Sequence, residues 1–145
     1  MSQTTATRPA RSVTSSIARR VPGVARVLLG LLFLVTGLNG LLNFLPQPTE
    51  PMPDGALAFS IALAQTGYML QLTSLAQAVA GALLVTKRYV PLALALLAPV
   101  VVNIFLFHVF LAPSGMVIAV VVSALEVYLA WTYRNSFRPM LRATA

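Results

Sequence analysis

Residues 90–133 read VPLALALLAPVVVNIFLFHVFLAPSGMVIAVVVSALEVYLAWTY, and this stretch decides the fold. Two apolar runs, 90–111 and 116–133, flank the turn Ala112–Gly115, and only His108 and Glu126 interrupt them with an acidic or basic side chain. Each run is close to the roughly 20 residues a helix needs to cross about 30 Å of hydrocarbon. Inside a bilayer the backbone amides must be bonded within the segment itself, which makes a helix the expected crossing element. A turn this short predicts adjacent antiparallel helices.

Upstream, residues 26–45 read RVLLGLLFLVTGLNGLLNFL, with no charge after Arg26, and predict a first crossing. Pro46, Pro48, Pro51 and Pro53 in the loop PQPTEPMPDG end it, because proline has no N–H for helical bonding. The apolar stretch 56–86 is longer than one perpendicular crossing. The second span is therefore placed at about 65–85, and residues 56–64 tilt, lie at the interface or form a separate short helix. Lys87, Arg88 and Tyr89 make the turn into the third span, 90–111, with Pro91 in its first turn. The expected fold is an all-α membrane protein, an antiparallel four-transmembrane-helix bundle. Its domain would run over 26–133, with spans at about 26–45, 65–85, 90–111 and 116–133. Residues 1–25 and 134–145 read as basic tails, the first of them flexible.

Composition agrees. The 145-residue chain is 58% hydrophobic and 9% charged, against roughly a quarter charged in soluble domains. The absence of cysteine excludes disulfides, thiolate metal sites and a cysteine redox pair on this polypeptide. With an inside amino terminus, Arg8, Arg11, Arg19, Arg20, Arg26, Lys87, Arg88, Arg134, Arg138 and Arg142 all fall on the cytoplasmic side. Glu50 and Asp54 fall outside. The positive-inside rule thus predicts a multi-pass membrane protein with cytoplasmic termini. Dispersed cations at span ends suit anionic lipid rather than a nucleic-acid groove.

Polar groups within hydrocarbon are costly unless they face protein or a wet cavity, so they form the candidate set. Thr36, Asn39 and Asn43 make one stripe on the first span beside Gly37 and Gly40, suited to helix contact or a ligand pocket. On the second span Gln71 shares a face with Tyr68, and Gln77 lies with Ser74 and Gly81. His108, the single histidine, lies near the outer end of the third span with Phe107 beside it. Asn103, deeper on that helix, points about 140° away from it by helical geometry. Structural hydrogen bonding, a proton-transfer or quinone contact, and metal or haem ligation are all open to His108, but one histidine builds no metal site alone. Glu126, near the middle of the fourth span, is the sharpest signal: no lysine or arginine lies at its depth, leaving Asn39, Gln71, Gln77, Asn103 or water as partners. Phosphate loops, metalloprotease motifs and paired acids on one helix are absent from the sequence.

The stretches GLLFLVTGLNGLLNF, GYMLQLTSLAQAVAGALLVTKRYVPLALALLAPVVVNIFLFHVFL and APSG resemble the DoxX-like family of small four-helix bacterial membrane proteins over roughly residues 26–133. The matching features are an early arginine with a glycine-rich first helix, GxLLxxKRY leaving the second, and NxxxFHxF near the end of the third. The resemblance implies association with membrane oxidoreductase systems, and makes Asn103, Phe107 and His108 candidates for a quinone or substrate pocket opening outward. Two departures stand out: there is no cysteine, and neutral Gln77 stands where an acidic residue is expected. The expected role is an auxiliary membrane component of a redox system, contacting quinone or another lipophilic ligand. The alternatives are a small transporter or channel component and a non-catalytic structural protein. Expected partners are membrane lipids, a membrane or periplasmic oxidoreductase subunit, or a second copy, with no nucleic acid. Whether the chain itself catalyses is left open by these residues.

Overall fold

The computed structural model describes residues 13–46 and 51–137, with side chains from Arg20 onward. Arg8, Arg11, Glu50, Arg138, Arg142 and the Arg19 side chain lie outside the described residues. Regular structure among the described residues is all helical: α1 (Val13–Leu42), α2 (Asp54–Gln65), α3 (Met69–Val85), α4 (Val90–Phe110), α5 (Met116–Thr132) and the short α6 (Arg134–Phe137), with one 3-10 turn at Pro113–Gly115. α1 packs most extensively on α3, α3 on α4, α4 on α5, and α5 back on α1, so four helices close a ring. Three stretches are long and apolar enough to cross a membrane: Arg20–Leu42, Val90–Phe110 and Pro113–Thr132. A fourth would be the pair α2 and α3 taken together, which is bent by 93° at its break.

The core is narrow and aliphatic. Leu29, Leu84, Leu94, Leu97 and Leu129 are its largest fully buried side chains. The outer surface is apolar as well: Leu28, Leu72, Val102, Val117, Ile118 and Val127 all face outward. A water-soluble bundle confines such residues to the inside, so this inverted surface suits lipid.

α1 and α3 approach so closely that backbone meets backbone. A Cβ added at Gly37 would lie against the Ala78 amide and 2.7 Å from the Ser74 carbonyl oxygen, and one at Gly81 would meet Leu34 N and come within 2.7 Å of the Gly30 carbonyl oxygen. Apolar side chains gain nothing by leaving lipid tails for a neighbouring helix. Association in a membrane therefore rests on such close packing and on interhelical hydrogen bonds. Thr36 Oγ1 supplies one, 3.1 Å from Gln77 Oε1.

Several expected boundaries move. The residues read as a flexible tail up to 25 are helical from Val13 onward, through Pro22. Once the apolar segment has formed the helix, each added residue gains a backbone bond without a new nucleus. At the other end α1 stops at Leu42 rather than Leu45, because Asn43 turns left-handed (φ 50°). Its N–H reaches the Asn39 carbonyl at 2.7 Å, and the Asn39 Oδ1 accepts from Leu45 N at 2.7 Å. Asparagine is the usual non-glycine residue for this closing position. The helix over the expected second span, α3, begins at Met69, while Gln65 ends α2. Gly67 takes φ +76° in the break, and Thr66 Oγ1 accepts from Met69 N at 3.1 Å, opening a new helix in a new direction.

Candidate functional site

The clearest hollow lies between α4 and α5. It has a volume of about 440 Å³ and is walled by Leu94, Ala98, Val101, Phe105, Val127 and Phe137 among others, nearly all of them apolar. Ser123 and Glu126 are its polar residues. Ser123 is engaged locally, donating to the Ala119 carbonyl at 2.8 Å. Glu126 is not: it is 6% exposed, and its Oε2 is buried with no hydrogen-bond partner. α5 places it there by helical period, since Ala119, Val122, Glu126 and Leu129 form its buried stripe. An apolar cavity beside one buried, unsatisfied carboxyl oxygen can seat a lipophilic molecule, and a turn of the Glu126 side chain would bring that oxygen to a polar group on it.

A second groove of about 490 Å³ is lined by Phe59, Pro99, Asn103, Phe107, Phe110 and Leu111 with Val102 and Leu106. Those last two residues also wall the first groove, so the two hollows run on either side of one ridge of α4. Phe59 of α2 packs on Phe107 with ring centroids 5.7 Å apart, which brings the bent-over helix against the end of α4. Pro99 sits in this groove while α4 continues unbroken around it. Asn103 is exposed there.

The candidate residues therefore do not form one constellation. Asn103 and Phe107 share the second groove, and Glu126 lies in the first. Gln77 faces Thr36, Asn39 bonds the backbone beyond α1, Asn43 is that helix's closing residue, and Gln71 is exposed. The expectation that Asn39, Gln71, Gln77 or Asn103 would satisfy Glu126 does not hold for Oε2. The α1 amides are occupied in ending a helix and α3 turns Gln71 outward. His108 has a structural partner: its Nδ1 lies 2.9 Å from the Ala112 carbonyl, which can only accept, so Nδ1 carries the hydrogen. The ring covers Gly115, where any Cβ would collide with it.

Sequence reasoning missed three residues. Phe137, assigned to a tail, closes one end of the Glu126 groove. Phe59 belongs to a stretch whose course was left open. Arg26, read as the start of the first span, a cytoplasmic cation and the early arginine of the resemblance but not as a buried group, is 8% exposed, and its Nη1 donates to the Leu84 carbonyl and, at 3.2 Å, to that of Val85. A signal for Arg26 existed: the last carbonyls of a helix lack intrahelical donors, and Gly30, one turn further along α1, packs against Leu84.

Comparison of the chain with protein-family models, curated proteins and solved structures finds no match. What identifies its class is the inverted surface over helices of spanning length. The chain is a multi-span helical membrane protein.

Proposed function

We propose that the chain crosses a bacterial inner membrane four times as an antiparallel bundle with cytoplasmic termini, and holds a lipophilic molecule with a polar head in the α4/α5 groove. The favoured head is a quinone ring, and the favoured role is an auxiliary component of a membrane redox system. The observation that carries this reading is Glu126, buried with a free Oε2 in an otherwise apolar hollow of ligand size. A carboxyl suits both forms of such a ligand: protonated, it donates to a quinone carbonyl, and ionised, it accepts from a quinol hydroxyl. The groove opens to the lipid side, from which a membrane-dissolved ligand arrives. The DoxX-like stretches supply the redox setting and the link to a membrane or periplasmic oxidoreductase subunit.

Four crossings follow if α3 carries the second one, with α2 turned along the surface. Arg26 beside the end of α3, Lys87 and Arg88 in the next turn, and Arg134 after α5 would then share one side, with Asp54 on the other.

The test is extraction of the chain from bacterial membranes directly into lipid nanodiscs, followed by mass spectrometry of the bound lipophiles. A quinone should co-purify near one per chain. Glu126→Leu should lower its occupancy about tenfold, equivalent to roughly 1.4 kcal/mol, while Glu126→Gln should retain most of it. Equal lipophile content in the wild type and Glu126→Leu would refute the assignment.

A further inference from the structure

We infer a second site, for a phosphate group, at the end of the bundle where α1 meets the carboxyl end of α3. The Arg26 charge has no acidic partner among the described residues. The acids of the sequence are Glu50, Asp54 and Glu126; Glu50 lies outside the described residues, Asp54 opens α2 near Leu111 at the other end of α4, and the buried Glu126 Oε2 and Arg26 Nε are both without partners, so neither described acid is bonded to Arg26. Arg26 is more than nine-tenths buried and its Nη1 is held by the Leu84 and Val85 carbonyls, while its Nε–H is buried without a partner. Carbonyl dipoles soften the cost of a guanidinium out of water, but a counter-anion removes it more completely.

The place for that anion exists. Arg26 lines a hollow of about 530 Å³ together with Arg20, Gly23, Val24, Val27 and Leu28. Both arginines contribute to its wall, and Gly23 leaves it open, since a side chain built there meets no described atom within 4 Å. Val24 and Leu28 are exposed apolar neighbours along which an acyl chain can lie. Guanidinium forks match the oxygens of a phosphate, so the ligand is a phosphate group, carried by an acidic phospholipid or free in solution. This site is independent of the α4/α5 groove.

Native mass spectrometry of the full chain in detergent tests it, with phosphatidylglycerol and phosphatidylcholine as probes and inorganic phosphate as competitor. Phosphatidylglycerol should bind at least about fivefold more tightly than phosphatidylcholine. Gly23→Leu, which fills the hollow, and Arg20→Gln, at an exposed position, should each remove that preference without lowering the unfolding midpoint. If millimolar inorganic phosphate displaces the lipid, free phosphate is a ligand; if it does not, the lipid head group is the source. Absence of any preference, or a preference that survives both substitutions, overturns the site.

Discussion

Lys87 and Tyr89 take left-handed backbone angles, φ 59° and 48°, in the turn between α3 and α4. Lys87 N–H bonds the Leu84 carbonyl at 3.2 Å and Arg88 N–H the Leu83 carbonyl at 3.0 Å, the paired closure that normally places glycine at the Lys87 position. A side chain there costs about 1–2 kcal/mol, part of which glycine returns through its freer unfolded state. Lys87→Gly should therefore stabilise the protein by about 1 kcal/mol, read as a raised unfolding midpoint in detergent; an unchanged or lower midpoint would count against the closure. The sequence marks a turn here but gives no hint that lysine tolerates the strain, because its charge was sufficient reason for its presence. Asn43 shows the same limit. An amide three and four residues from other polar groups reads as part of a helical stripe, and only the backbone angle reveals it as the end of the helix.

Among the elements, α1 and α3 depend on each other most. Gly30, Gly37 and Gly81 allow backbones to touch, so adding volume at one of them must push the helices apart. Gly37→Leu should destabilise the bundle by about 3 kcal/mol or more, beyond ordinary overpacking because the clash is with main chain. Gly23→Ala, inside a helix with free space around it, should stabilise by about 0.5–1 kcal/mol. Thermal unfolding of both variants measures the contrast; equal midpoints would mean that the interface yields. Small residues at helical spacing were readable in the sequence as a contact surface, and the chain used them so. The direction of α2 was not readable. Residues on both sides of Thr66–Tyr68 are equally apolar, and hydropathy carries no sign of a 93° bend. Phe137 was missed for a related reason: three residues of polar chain after Tyr133 look like an exit into water, yet the short α6 brings the ring back onto the core.

At the scale of the whole molecule, helical class and apolar surface were legible because hydrocarbon imposes them on any chain that enters it. The ligand hollows were not legible, since they arise from how α4 leans against α5 and from where α2 folds over. The proposed orientation makes a separate prediction. Fluorescent-protein fusions at either terminus should fold in the cytoplasm, and alkaline phosphatase fused after Pro53 should be active; activity of the phosphatase at the carboxyl terminus would reverse the assignment.

The bend before α3 also sets unequal heights around the bundle. With 17 residues α3 measures about 25 Å, against about 32 Å for the 21 residues of α4. If α3 carries the proposed second crossing, that flank is shorter than a typical hydrocarbon layer of about 30 Å, and a bilayer holding the protein either thins beside it or meets a leaning bundle.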